Sequence, residues 1–427
     1  MFASAPRIGH ASVYLGPRDI EGRMIRRTLA VAALAASCAL LAVCNPAGGR
    51  HSTVPANCQS TQPLIVPQQT DILFVIDNSG SMREEQAGVA LELPAFVSAL
   101  QQGAGVENDF QVGVITTTVY QNSISPPPVG QVLRTFPDQA GKLRPATLVG
   151  GGTSRILSGT DPNLVAEFST LVQQGTTGSG QETPFEAVRL ATSPPVVNNE
   201  NAGFLRKGAR LVVVVVSDED DCSEQVTFTP DGGLVSPPQV YVSSSTNEDF
   251  CTQQSAKLGT IDQYYTLYNG LTDETGAKRD VLWAAIAPVA RADKTALEID
   301  DNGTPRNIDC PTSNGPGYRH REMASRFNKQ LANLDSICNS SYHDTLLNIA
   351  ALANITSSIA VHGMPDPRLV TVEITRADDS VQKCTIDNGG IRYEDPTDTA
   401  DGRIYFLGPC PRLPDDKHVE LKMLCAG

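Results

Sequence analysis

Three short runs of apolar residues constrain this chain more than any other feature: Asp71 to Ile76 (DILFVI), Leu211 to Val216 (LVVVVV) and Val281 to Ala287 (VLWAAIA). An apolar run without polar alternation is a strand covered on both faces, which calls for a sheet held between two layers. Phe110 to Val119 reads as a further strand. Between the strands, apolar residues recur at helical spacing. Met82 to Gln101 places Val89, Leu93, Phe96, Val97 and Leu100 on one face, and Asn163 to Gln174 does the same with Leu164, Phe168, Leu171 and Val172. Thr183-Pro184-Phe185-Glu186 has the capping-box signature of a helix start. Further helical patterns lie near 320–334 and 344–360, the second with Leu346, Ile349, Ala350 and Ala353. Strands alternating with helices predict an α/β fold: a doubly wound, mostly parallel sheet with helices on both faces, with ligands outside the carboxyl ends of the strands.

The flanks differ in texture. Residues 1–44 read as a leader: Met24-Ile25-Arg26-Arg27 precedes an apolar run from Thr28 to Val43, too short for a spanning helix and right for an export signal, and Met24 is the expected true start. Leu41-Ala42-Val43-Cys44 approximates a lipoprotein box, making Cys44 a lipidation candidate, with plain cleavage and secretion as the alternative. Residues 45–69 read as a linker, 70–362 as the main domain with a polar insertion at about 225–275, and 366–427 as a small β module in which Leu369–Thr375 and Val419–Met423 alternate polar and apolar residues.

Charge agrees with export. Of 427 residues, 33 are basic and 47 acidic, but the first fifty hold six Arg against two acids, so the remainder carries a net charge of −18. Such a body does not suit a nucleic-acid backbone. Eight cysteines follow the leader, an even number that in an exported chain points to disulfides, and no Cys or His spacing resembles a zinc site.

The chemistry gathers at predicted strand ends. Asp77-Asn78-Ser79-Gly80-Ser81 is a D-x-S-x-S directly after the first buried strand, Gln181-Glu182-Thr183 precedes a helix, and Asp218 follows LVVVVV. Alternate residues of the first loop can turn a carboxylate and two hydroxyls toward one point, an oxygen set suited to Mg²⁺, Mn²⁺ or Ca²⁺. Ser81-Met82-Arg83-Glu84 also reads as a capping box at the next helix.

These three separated motifs, in this order, resemble a von Willebrand factor type A domain with a metal-ion-dependent adhesion site, over about residues 70–360. The resemblance implies that Asp77, Ser79, Ser81, Thr183 and Asp218 hold one divalent cation, and that an open coordination position takes an acidic group of a protein or glycan partner. The usual Gly-Gly-Thr-x-Thr spacing is missing around Thr183, so Glu182 or a water is the alternative in that place.

Asp218-Glu219-Asp220-Asp221-Cys222-Ser223-Glu224 is expected to be mainly solvated loop charge, and a second cation site there is the lesser alternative. A Cys222–Cys251 bridge would staple the rim of the site, and Cys310–Cys338 is the next expected pair. Cys58 is then left with Cys384, Cys410 and Cys425. His320, between Arg319 and Arg321, is expected on a polar helix surface. The chain has no H-E-x-x-H and no G-x-S-x-G, so a secreted hydrolase is the weaker reading. An exported, metal-dependent binding protein is expected, not an enzyme, with contact to a membrane only through a lipid anchor. A structural envelope protein with a stabilising ion is the alternative.

Overall fold

The computed structural model describes residues 64–423 other than 125–130, 244–249, 297, 300–304, 307–308, 311–312, 314, 365, 399–400 and 414. The leader with Cys44, the residues before 64, and Cys425 lie outside the described residues. Six strands form the central sheet: β1 (Gln68–Ile76), β2 (Asn108–Thr116), β3 (Leu157–Ser158), β4 (Arg210–Val216), β5 (Val281–Ala287) and β6 (Leu334–Ser336). Their spatial order is β6-β5-β4-β1-β2-β3. All neighbours are parallel except the short edge strand β3, which runs antiparallel to β2. The reversal of winding direction falls between β1 and β4, the place where doubly wound sheets carry their ligands.

The apolar runs divide between the two faces by the period of two that a pleated strand imposes. Ile72, Phe74, Ile76, Val212, Val214 and Val216 point to one layer, and Leu73, Val75, Val213, Val215 and Trp283 to the other. The first layer consists of α1 (Arg83–Gln102), α2 (Leu164–Leu171) and α6 (His343–Asn354); the second of α3 (Pro184–Ala191), α4 (Ile261–Asn269) and α5 (Tyr318–Phe327). Phe74 meets Phe96 and Phe168 edge-on, with ring centroids 5.6 and 5.0 Å apart. Pro94 inside α1 cannot donate to the Ala90 carbonyl, but the Ser169 hydroxyl of α2 donates to it at 3.3 Å, so the acceptor that proline strands is met by the neighbouring helix.

Several elements depart from the sequence reading, and the helical pattern read near 320–334 is one of them: α5 ends at Phe327, and Leu334 begins β6. The insertion read as polar over 225–275 ends in α4, whose Tyr264 and Tyr268 are buried in the second layer, with the Tyr268 ring stacked on Trp283 at 4.9 Å. Two tyrosines four residues apart make an apolar stripe that hydropathy undercounts, because each ring buries its body while its hydroxyl bonds, here to Glu186 and to the Phe185 carbonyl. The helical pattern read to residue 360 stops at Asn354. Ser358–His362 is a strand, because the β-branched Ile355 and Thr356 leave the helix and Arg210 donates to the carbonyls of Leu352, Ala353 and Ile355 that the helix end leaves open.

That strand begins the C-terminal β structure. It pairs with Gly402–Phe406 and with Leu64–Ile65, a segment the sequence reading gave to the linker, while Val370–Thr375 pairs with Val381–Cys384 and His418–Met423. The module packs beside the turn that follows α1, where Val419 donates to the Gly105 carbonyl at 3.1 Å. Gly105 has φ +76°, and a Cβ there would stand 2.8 Å from the His418 backbone, so no side chain fits. Disulfides join Cys222–Cys251 and Cys310–Cys338, the two expected pairs, and Cys384–Cys410. Replacing Cys384 and Cys410 together by Ser is expected to lower stability by about 2–4 kcal/mol, read from urea denaturation. A change under about 1 kcal/mol would mean that the module's apolar core alone sets its stability.

Candidate metal centre

The expected site residues lie at the carboxyl end of the sheet, each where its sequence context put it. Asp77 follows β1, with its N–H donating to Val216 of β4 at 2.9 Å. Its carboxylate accepts from the Ser79 N–H at 2.8 Å and from the Ser217 hydroxyl at 2.6 Å. The Ser79 and Ser81 hydroxyls are 3.2 Å apart, and Ser81 in turn hydrogen-bonds Asp218. Asp77, Ser79, Ser81 and Asp218 therefore form one continuous arc across two loops. Asp77 is fully buried, Ser79 and Asp218 are buried, and Ser81 is exposed, so the arc opens to solvent on one side.

Ser81 does not cap α1. The helix begins at Arg83 with no side-chain cap, and the Ser81 hydroxyl serves the arc instead. The capping box at Thr183 is likewise unformed. The Thr183 hydroxyl donates to the Thr117 carbonyl at 2.8 Å, which pins the loop to the end of β2, and makes no cap hydrogen bond. The first turn of α3 is served from another loop: Asp221 accepts from the Phe185 N–H at 3.0 Å, and Ser223 from the Glu186 N–H at 2.9 Å.

That second loop is the acidic run, and the expectation of solvated charge is overturned. Asp220, Asp221 and Glu224 are buried, each bound to backbone N–H groups: Asp220 to Arg319 at the start of α5, Asp221 to α3, and Glu224 to Gln239 and Val240. Each of these carboxylates satisfies donors that would otherwise be stranded inside the protein. His320 is also not on the surface. It is fully buried, its Nε2 is 3.2 Å from the Glu219 carbonyl, and burial lowers its pKa to about 4. Arg319, beside it, pairs with Asp221 at 2.9 Å. The two read as polar in sequence because nothing local announces a partner 98 residues or more upstream.

The electrostatics of the arc are those of an anionic site. Burial and then Glu219 push Asp77 up to about 7, and burial followed by Asp77 and Glu219 pushes Asp218 up to about 8. Glu182, fully buried, is also pushed well up, by burial and then by Glu219 and Asp77. None of the groups that act most strongly on these three carboxylates is basic. Two of their oxygens, Asp218 Oδ1 and Glu182 Oε1, are buried without a hydrogen-bond partner. Buried anionic oxygens left in this state fit a cation. Among the described residues no three carboxylate, imidazole or thiolate side chains gather as a complete ligand set.

The reversal between β1 and β4, the D-x-S-x-S loop after β1 and the Asp after β4 now stand together. The fold is of the von Willebrand factor type A kind. No protein family model and no curated protein matches the chain. Among solved structures, the chain is similar to a von Willebrand factor type A protein from Catenulispora acidiphila at 12% identity and a TM-score of 0.32, covering 80% of this chain and 55% of that one. It is similar to the open conformation of the pilus adhesin SpaC from Lactobacillus rhamnosus GG at 9% identity and 0.33, over 82% and 38%. It is also similar to BatB from Bacteroides thetaiotaomicron at 10% identity and 0.27, over 67% and 98%. The chain thus spans little more than half the length of the first of these and under half of the second.

Within this type A fold, sequence reasoning found the arc and missed its supports. Ser217, which orients Asp77, stands between the apolar strand and Asp218 and could have been read there. Gln86 could not. Its amide donates to the Asp77 carbonyl at 2.7 Å and to Gly175 at 2.9 Å, from a helix position that looks like any exposed glutamine.

Proposed function

We propose that this chain is an exported binding protein that holds one divalent cation at Asp77, Ser79, Ser81 and Asp218 and captures a partner's acidic group through it, without catalysis. The observation that carries this reading is the hydrogen-bonded arc of two carboxylates and two hydroxyls, open on the Ser81 side, with no basic group among those acting most strongly on its carboxylates. Three disulfides support the exported setting, and among the described residues no helix is long and apolar enough to cross a membrane. The ion, when bound, would offer one outward coordination position to an acidic protein or glycan group. The chain's own part is to fix the oxygens: Ser217 and the Ser79 N–H hold the Asp77 carboxylate in place, and Ser81 holds Asp218. The acidic body repels an acidic partner at long range, so capture should strengthen with added salt at the encounter stage. A partner pull-down from envelope extract tests the reading: recovery with Mg²⁺, loss with EDTA, and loss with Asp77→Ala are expected. Equal recovery in all three would end it.

A stabilising ion with no partner is the second reading, favoured by the near-complete burial of Asp77, Asp218 and Glu182. It is distinguished by a chelator that lowers the melting temperature while no partner is ever recovered.

Protons compete with a cation for the same oxygens, so ion affinity depends on pH. The folded pKa values, about 7 for Asp77 and about 8 for Asp218, lie above the unfolded value of 3.8. Without a divalent ion, these groups therefore favour the folded state fully below pH ~4 and lose that contribution as pH rises through 7 and 8. With the ion the sense reverses. Calorimetric Mg²⁺ titration should show affinity rising from pH 6 to 8.5 by up to about tenfold per pH unit for each proton displaced. A flat profile would place the ion elsewhere.

A further inference from the structure

Resting on the cation reading above, we infer that Glu182, and not Thr183, is the ligand the third loop contributes. The two neighbours have opposite unmet needs. The Thr183 hydroxyl and N–H both donate to the Thr117 carbonyl, at 2.8 and 3.1 Å, so that residue has its donors met, serves to pin the loop and could offer an ion only a neutral oxygen. The Glu182 carboxylate is buried, its Oε1 has no hydrogen-bond partner, and its other contact is the side chain of Glu219. Two carboxylates in contact inside a protein, with no basic group among those acting most strongly on Glu182, are held together either by a shared proton or by a cation beside them, and a cation displaces that proton. The backbone around Glu182 is fixed from both sides: its carbonyl accepts from the Cys222 N–H at 2.8 Å, and Thr183 is tied to Thr117. Only the side chain is left to move. Coordination requires it to turn from Glu219 toward Asp77 and Asp218, both of which already act on it through space.

The consequence for the site is chemical. With Glu182 bound, Asp77, Glu182 and Asp218 bring three negative charges to a doubly charged ion. Such a site holds its cation more tightly, accommodates Ca²⁺ as well as Mg²⁺, and attracts an outside carboxylate less than a site completed by a threonine hydroxyl would.

Melting curves and calorimetric titrations of the full chain with Mg²⁺ alone and Ca²⁺ alone test this, comparing the native protein with Glu182→Gln, Thr183→Ala and Asp77→Ala. The amide is nearly isosteric and removes a repelled charge. Glu182→Gln is thus expected to melt higher than the native protein in EDTA and to bind the ion at least about tenfold more weakly, since even groups that only orient ligands are worth about 10–100-fold. A merely structural glutamate would not move these two readouts in opposite directions. Thr183→Ala should leave ion affinity within about threefold. Ion affinity preserved in Glu182→Gln but lost in Asp77→Ala overturns the role of Glu182 while leaving the cation site standing. Affinity unchanged in both removes the cation site itself. Should the amide variant not fold, Glu182→Thr takes its place with the same expected loss of ion affinity and the same overturning result.

Discussion

Asp77→Ala is expected to reduce affinity for Mg²⁺ by more than about 100-fold, beyond the 10–100-fold seen for groups one shell further out, while the protein stays folded. Asp77 is touched from three directions: by the Ser79 N–H, by the Ser217 hydroxyl and by the charge of Glu219. Truncation strands the two donors, at about 1–3 kcal/mol for each that finds no other partner. It also removes a carboxylate that burial and Glu219 already disfavour, which works the other way. The Ser217 hydroxyl has a second acceptor in the Glu219 carbonyl at 3.2 Å, so one of the two losses is softened. Circular dichroism should therefore show a native spectrum and a melting temperature in EDTA close to that of the native protein. Calorimetry should show no Mg²⁺ heat. A melting temperature that collapses in EDTA would identify Asp77 as a scaffold residue first, and retained Mg²⁺ heat would contradict the site.

The largest expected loss of stability lies outside the arc, at Arg319. Its guanidinium bonds Asp221 at 2.9 Å and the Gly259 carbonyl at 2.7 Å and lies over the Phe185 ring at 5.5 Å. Asp221 has no solvent exposure and also holds the first turn of α3. Arg319→Ala leaves that carboxylate buried and uncompensated, at a cost of about 3–5 kcal/mol. The exposed pairs of Arg326 with Asp262 and Glu322 supply the control, and Arg326→Ala should cost no more than about 1 kcal/mol. Urea denaturation of the two variants separates these figures. Equal midpoints would mean that Asp221 finds another donor. Because α3 follows directly on Glu182 and Thr183, Arg319→Ala should also weaken ion binding.

The fold was legible because its strongest signal is the one physics imposes most strictly. Strands buried on both faces must be apolar throughout, and DILFVI, LVVVVV and VLWAAIA became β1, β4 and β5 at the sheet centre. Short-range chemistry was legible too: a D-x-S-x-S after a buried strand put Asp77, Ser79 and Ser81 on one arc. Sequence reasoning failed where a residue's environment comes from far along the chain. The acidic run looked solvated because the amides it serves, at Phe185, Val240 and Arg319, lie in other elements. Thr183 and Glu182 are adjacent, and no local rule says which faces the arc. Capping boxes at Ser81 and Thr183 were misread for the same reason, since each hydroxyl had a tertiary partner stronger than its own helix.

The pairing of Leu64–Ile65 with Ser358–His362 has a mechanical consequence. β1 carries the chain from that junction to Asp77 over nine residues, a rise of about 30 Å at 3.3 Å each. Leu64–Ile65 and Asp77 thus stand toward opposite ends of β1. A pull applied at Leu64 would therefore load its pairing with Ser358–His362 and the start of β1 before the loop that carries Ser81.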